Sequence, residues 1–320
     1  MIRGKLLKSA KKLCVLMLTG CLLAGLTACG GGSGSKESSD TAEGTTQAAQ
    51  EAASQAQVSD DQAADQSTGD QVDLQVFIAA SLSTVMEDLA AKYNETHPDV
   101  KITYNADSSG TLMTQIEEGY ACDVFFSAAQ KQMDQLADEG FVVDGTRSNV
   151  VNNQLVVLTQ KDSDTEVTGL EDLNKAKSLA LADGSVPVGK YTRQALMNLG
   201  TLEKVDDPSL ITTQEVSEAL GGVEISEQAN VSKVLLAVVE KSCEVGTTYY
   251  SDTYGYEDQV NILQTVSYDL SGNIIYPIAQ INNAEADDAE IAAAKEFIDY
   301  ITSDEAKAVF DQYYFDTNVE

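Results

Sequence analysis

Short apolar runs alternate with amphipathic segments along residues 73–320. The first run, at 72–80, has the pattern of a strand, and from Ser81 onward apolar residues follow at helical spacing, which predicts that Ser81 caps a helix. The same order of strand and helix recurs at 101–119 and 124–140. Further strands are predicted at 155–158, 179–181 and 245–250, and further helices at about 190–199, 231–241 and 288–310. This alternation predicts an α/β protein with mainly parallel sheets flanked by helices.

The order of the predicted strands divides this region into two lobes. Strand-like stretches at 153–159 and 273–280 flank the middle third of the chain, and such a pair of crossings forms a hinge. We therefore expect lobe 1 to comprise residues 73–152 and 280–320, lobe 2 to comprise residues 153–279, and a ligand cleft to lie between them. A length of 320 residues agrees with two domains of ordinary size.

The first 72 residues carry signals for export and attachment. Residues 1–28 join five basic residues to an apolar run that is too short to span a membrane, as in a secretory signal peptide. They lead into Leu26-Thr27-Ala28-Cys29, which resembles the lipobox of bacterial lipoproteins, so Cys29 is expected to be lipidated and to become the N-terminus. Residues 29–72 are then expected to form a disordered tether, because they contain almost no aliphatic or aromatic residues.

The sequence therefore predicts an exported protein that is anchored by lipid at the outer face of the cytoplasmic membrane. Three alternatives remain open. A second box-like stretch ends at Cys21, the apolar run could be an uncleaved anchor helix, and the chain could be secreted without an anchor.

The amino-acid composition excludes some partners and some kinds of site. The chain has 20 Lys and Arg residues against 51 Asp and Glu residues, a net charge of −31, so nucleic acid is not an expected partner. It has one histidine, His97, and five scattered cysteines that match no zinc-site spacing, so a bare metal cation is not expected. No loop matches a P-loop or a dinucleotide fingerprint, and no cofactor is expected. Cys122 and Cys243 precede strands of different predicted lobes, and we expect two free, buried thiols.

Four predicted helix starts suggest a binding site. They lie at 80–82, 108–111, 187–190 and 230–232, each after a strand or a loop. The N-terminus of a helix presents unpaired N–H groups and a partial positive charge, so several of them converging on one cleft form an anion site without Lys or Arg. Taken singly, each serine is explained as a plain N-cap and Pro187 as a helix-start proline.

These segments carry a resemblance to a known family. In order and spacing, a series of motifs resembles the molybdate-binding proteins of ABC transporters. The motifs lie at 79–82, 108–119, 123–128, 186–200, 230–231, 246–252 and 276–279.

The resemblance implies a two-lobed, type II periplasmic-binding-protein fold that closes over molybdate or tungstate. It further implies that the oxyanion is held by the hydroxyl and N–H groups of Ser81 and Ser109, by the N–H groups of Val188 and Val231, and by the hydroxyl of Tyr249. Such a protein is a monomer, is not an enzyme, and delivers its ligand to an ABC permease for molybdenum uptake.

Other functions stay open at this point. Asp107 is unexpected beside a dianion, but it could accept a hydrogen bond from a hydrogen-bearing phosphate, so a receptor for phosphate or sulfate is one alternative; an exposed turn residue is the plain explanation. Residues 205–229 are also longer and more polar than the family pattern. An enzyme could use Ser81 or Ser109 as its nucleophile, but His97 is a poor general base, and Lys190 could in principle serve instead. A scaffold lipoprotein would leave the helix starts without a common purpose.

Overall fold

Two five-stranded sheets form the framework of the protein, for which the computed structural model describes residues 71–319. The predicted signal peptide, Cys29 and nearly all of the tether lie outside the described residues. The strands are β1 (Val72–Ala79), β2 (Val100–Asp107), β3 (Val124–Phe126), β4 (Ser148–Asn153), β5 (Leu155–Gln160), β6 (Ser178–Ala182), β7 (Glu224–Gln228), β8 (Val245–Tyr249), β9 (Val260–Thr265) and β10 (Ile274–Gln280). The α-helices are α1 (Ser83–Asn94), α2 (Ser109–Glu117), α3 (Gln130–Asp138), α4 (Pro187–Leu199), α5 (Thr213–Ala219), α6 (Val231–Val239), α7 (Tyr268–Ser271), α8 (Asp288–Ile301) and α9 (Asp304–Gln312).

The two sheets are built alike. The first has the strand order β2-β1-β3-β10-β4, and the second has the order β7-β6-β8-β5-β9. In each sheet one strand, β10 or β5, is antiparallel to both of its neighbours, whereas the remaining strands run in a common direction. These reversed strands are the ones that follow the two crossings, because the chain enters each sheet there from the other side of the hinge. The predicted α/β class is confirmed.

The chain crosses between the lobes at two places. It leaves the first sheet after β4 and enters the second at β5, with only Gln154 between them. It returns between β9 and β10, that is, within residues 266–273. The sequence-based boundary at 279/280 therefore falls inside β10, which pairs with β3 and β4. Residues 274–279 belong to the first sheet, because β10 begins as soon as the chain has crossed back.

Several elements differ from the sequence prediction. The helix predicted over 288–310 is two helices, because Ser303 caps a new helix by accepting a hydrogen bond from the N–H of Ala306 at 3.2 Å. The strands β4, β7 and β9 were not predicted. In β7, the sequence EISEQ has no apolar periodicity, and the strand forms at the sheet edge through its backbone pairing with β6.

Apolar side chains from both sheets and their helices form the core, which continues through the hinge strands β4, β5 and β10. Cys122 and Cys243 are buried and free, as predicted. No helix within residues 71–319 has the length and apolar character needed to cross a membrane.

Candidate functional site

A small cavity lies between the two lobes. It is lined by residues that follow strands or begin helices. They are Ala79, Ala80, Ser81, Asp107, Ser108, Ser109, Ala128, Val186, Pro187, Val188, Asn230, Val231 and Tyr249. All five residues that the family resemblance suggested as oxyanion ligands are therefore brought to one cavity, and both lobes contribute to them.

The topology explains this convergence. The strands β1 and β2 run parallel and deliver Ser81 and Ser109 to one edge of the first sheet, while β6 and β8 do the same for Val188 and Tyr249 in the second. Val231 is the first residue of α6, which follows β7. In open α/β sheets, the carboxyl ends of parallel strands form the crevice in which ligands bind.

The N-termini of α2, α4 and α6 lie at the cavity. The first backbone bond into α4 is donated by Lys190 to the carbonyl of Val186 at 3.0 Å, so the N–H of Val188 lies before the intrahelical ladder begins. Likewise, Val231 is the first residue of α6, and Asn230 caps this helix because its Oδ1 accepts a hydrogen bond from the N–H of Lys233 at 3.1 Å. These helix starts therefore present donors and partial positive charge toward the cavity.

The hydroxyl of Ser109 is oriented by a hydrogen bond that it accepts. Its Oγ accepts a hydrogen bond from the N–H of Ala128 at 2.9 Å, and the residue is 1% exposed. Because a hydroxyl has one proton, this contact leaves the Ser109 proton available for donation elsewhere. Ser108, rather than Ser109, is the N-cap of α2, since its Oγ accepts from the N–H of Thr111 at 3.2 Å.

Ser81 is not a helix cap, contrary to the sequence prediction. It lies in a 3-10 turn at Ala80–Leu82, and the α-helix begins only at Ser83. Its Oγ lies 2.8 Å from the hydroxyl of Tyr276, which in turn accepts from the amide of Asn153 at 3.2 Å. With Asn153 donating to Tyr276 and Tyr276 donating to Ser81, the Ser81 proton can point into the cavity. Asn153 and Tyr276 lie on the strands next to the two crossings. Tyr276 belongs to the motif at 276–279, but the sequence indicates no role at the site for either residue.

Tyr249 supplies a donor without a partner. Its side chain is fully buried, and its hydroxyl has no hydrogen-bond partner among the described residues. Burial raises the pKa of Tyr249 well above its ordinary value, so the hydroxyl keeps its proton and remains a donor. Its backbone N–H donates to Asp252 at 3.0 Å, and burial raises the pKa of that carboxyl to about 6. An unpartnered buried hydroxyl is costly, and a ligand oxygen at the cavity would satisfy it.

Asp107 is the charged residue among those lining the cavity. Its Oδ1 accepts from the N–H of Ser108 at 2.7 Å and from the amide of Asn230 at 3.1 Å. It is half-buried, so its explanation as an exposed turn residue is wrong. The lining includes neither Lys nor Arg, and Lys190, which the enzyme alternative needs as a base, is not part of it.

The family model of the bacterial extracellular solute-binding proteins matches residues 74–316, which is nearly the whole of the region that the structure describes. The chain belongs to this family. It is a solute-binding protein and not an enzyme, and the two-lobed, type II periplasmic-binding-protein fold is confirmed.

Individual relatives cover the same region. YvgL of Bacillus subtilis is 30% identical over 246 residues, covering 77% of this chain and 86% of the relative. The molybdate-binding protein ModA of Escherichia coli is 31% identical over 256 residues, covering 77% and 90%. A solved substrate-binding domain from Clostridium difficile is 31% identical, with a TM-score of 0.57, and covers 78% of this chain and 100% of that domain.

The long polar stretch at 205–229 of this solute-binding protein does not displace the site. Residues 205–229 contribute a short 3-10 turn at Pro208–Leu210, the helix α5 and the edge strand β7. The chain then enters α6, and Val231 still lines the cavity. Within this stretch β7 forms the edge of the second sheet, whereas Asp207 and Ser209 contact Lys131 of the first lobe.

Proposed function

We propose that the protein binds molybdate or tungstate outside the cytoplasmic membrane and delivers it to an ABC permease. The observation that carries this proposal is a cavity between the lobes that is lined by hydroxyl and N–H donors and includes the buried, unpartnered hydroxyl of Tyr249. The proposed ligands are Ser81, Ser109, Val188, Val231 and Tyr249. The Escherichia coli relative, named a molybdate-binding protein, supports the choice of ligand.

The chemistry of the donors fits a fully deprotonated tetrahedral dianion. Such an ion accepts hydrogen bonds and cannot donate them, so a site of donors matches it without a cation. Roughly seven charge-assisted hydrogen bonds at about 1.5–3 kcal/mol each, against an association cost of about 4–15 kcal/mol, allow micromolar or tighter binding. No cofactor takes part in this function.

The ligand also explains the two lobes. An oxyanion that contacts donors of both lobes interacts more favourably with the closed arrangement than with an open one. It therefore shifts the population toward closure about the crossings beside Gln154 and within residues 266–273. A closed monomer that carries one oxyanion is then the form presented to the permease.

Hydrogen phosphate is the competing ligand, because Asp107 offers a carboxylate that could accept its proton. We favour molybdate because the Escherichia coli relative is named a molybdate-binding protein. The two hydrogen bonds that Asp107 accepts within the protein both go to Oδ1, so only Oδ2 would be left to accept a proton from phosphate. Sulfate has no proton at neutral pH, but it is a smaller tetrahedron that reaches fewer of the donors.

Thermal unfolding with a panel of oxyanions tests this proposal. Molybdate and tungstate are expected to raise the melting temperature by several degrees at saturating concentrations, because a ligand that binds the folded state stabilises it by mass action. Phosphate at the same ionic strength is expected to leave it unchanged. If none of the oxyanions shifts the melting temperature, the proposed function is wrong.

We further propose that lipid on Cys29 holds the protein at the membrane. The substitution Cys29→Ala is expected to move the protein from the membrane fraction to the soluble fraction, because the tether that follows carries no apolar segment. The matched control is Cys21→Ala, which should leave the protein in the membrane fraction. Membrane retention of Cys29→Ala would place the anchor at Cys21 or in an uncleaved helix.

A further inference from the structure

One hydrogen bond joins the two lobes directly beside the cavity. It runs from the Nδ2 of Asn230, which precedes α6 in the second lobe, to the Oδ1 of Asp107, the last residue of β2 in the first lobe, over 3.1 Å. Both residues line the cavity. The bond can form only when the lobes are together, so it contributes to the closed arrangement and to no open one.

Both partners are held in place before they meet. Asn230 is fixed by its cap contact, since its Oδ1 accepts from the N–H of Lys233 at 3.1 Å and the amide nitrogen must then point away from α6. Asp107 is fixed by the N–H of Ser108, which donates to its Oδ1 at 2.7 Å. Little side-chain freedom is therefore lost when the two groups pair.

We propose that Asp107 and Asn230 form a latch that holds the lobes closed and slows the release of the ligand. This role rests on the proposed function, and it makes Asp107 a positioning residue and not a ligand. The carboxylate also removes the N–H of Ser108 from the donors that an anion could use, because that N–H points to Oδ1.

The opposite role for Asp107 is repulsion of the anion. A carboxylate beside a dianion weakens binding if its charge is uncompensated. Here the carboxylate lies at the start of α2 and accepts two N–H hydrogen bonds, and both the helix start and these donors offset its negative charge. We therefore expect the contribution of the latch to exceed the repulsion.

A second contact between the lobes provides a control outside the cavity. Lys131 of α3 donates to Asp207 at 2.8 Å and to Ser209 at 3.1 Å, and its side chain and that of Asp207 are 43% and 35% exposed. Ion pairs this exposed contribute little and are screened by salt. The substitution Lys131→Ala should therefore change ligand release only slightly.

The substitutions Asp107→Ala and Asp107→Asn separate the latch from the charge. The asparagine keeps an Oδ1 that can accept from both Ser108 and Asn230, whereas the alanine removes it. Stopped-flow release of molybdate is expected to accelerate roughly three- to tenfold in Asp107→Ala and to stay near the wild-type rate in Asp107→Asn and Lys131→Ala. Slower release in both Asp107 variants would show that repulsion dominates, and unchanged release in Asp107→Ala would show that no latch exists; either result overturns the proposal.

A measurement without ligand keeps the latch testable on its own. Hydrogen exchange of the ligand-free protein should be faster around 107–112 and 229–234 in Asp107→Ala than in Asp107→Asn, because the lobes separate more often. If the wild type binds no oxyanion, the proposed function fails while this comparison still decides on the latch. Equal exchange rates in Asp107→Ala and Asp107→Asn would contradict the latch.

Discussion

Replacement of Arg193 by methionine is expected to lower the free energy of unfolding by about 3–5 kcal/mol. Arg193 is completely buried on α4, and its guanidinium donates to three carbonyls. These are Ile211 at 2.7 Å, Ala182 at 2.8 Å and Gly189 at 3.0 Å. Methionine fills much of the same volume but removes the guanidinium donors from these buried carbonyls, and the loss should be visible in urea denaturation.

Arg193 also orients the proposed site, since it joins the end of β6 to the first turn of α4, from which Val188 faces the cavity. The matched control is Arg147→Met, because Arg147 is a partly exposed residue paired with Asp134 at 2.7 Å and should contribute less than about 1 kcal/mol. Equal stabilities of the two variants would contradict the structural role of Arg193.

Replacement of Tyr249 by phenylalanine is expected to weaken molybdate binding roughly ten- to hundredfold, because it removes one hydrogen bond to a charged ligand. The same change should leave the free energy of unfolding unchanged or slightly higher. The hydroxyl has no partner within residues 71–319, so the ligand-free protein loses nothing when it is removed. Calorimetric titration and urea denaturation of one preparation measure both effects.

Tyr93 provides the control for this substitution. Its hydroxyl is likewise buried and without a partner in the described part of the chain, but its ring stacks on His97 far from the residues of the cavity. Tyr93→Phe should therefore leave the molybdate affinity unchanged. Equal affinities of Tyr249→Phe and the wild type would remove Tyr249 from the proposed ligands.

The fold could be predicted largely because strands and helices alternate with clear apolar periodicity. Buried strands such as β1 and β5 carry that signal in their own residues. The edge strand β7 does not, because its pairing depends on the backbone of β6. The position of β10 also depends on distant partners, so the boundary between the lobes could not be fixed from local sequence.

Part of the candidate site could be predicted because its residues lie at the starts of predicted helices. Ser109, Val188 and Val231 were found in this way, together with the family resemblance. The contacts that orient the site residues could not be predicted, because the contacting residues are far apart in the sequence. Ser81 and Tyr276 are separated by 195 positions, and Asp107 and Asn230 by 123. Such pairs come together only when the sheets form, and neither residue of a pair indicates its partner.

Calorimetric titration of the wild-type protein with molybdate, followed by phosphate in a separate cell, tests the central claim most directly. We expect one molybdate per chain, bound at micromolar or tighter affinity, and no measurable heat from phosphate under the same conditions. Phosphate bound more tightly than molybdate would contradict the account and would make Asp107 an acceptor for the ligand's proton.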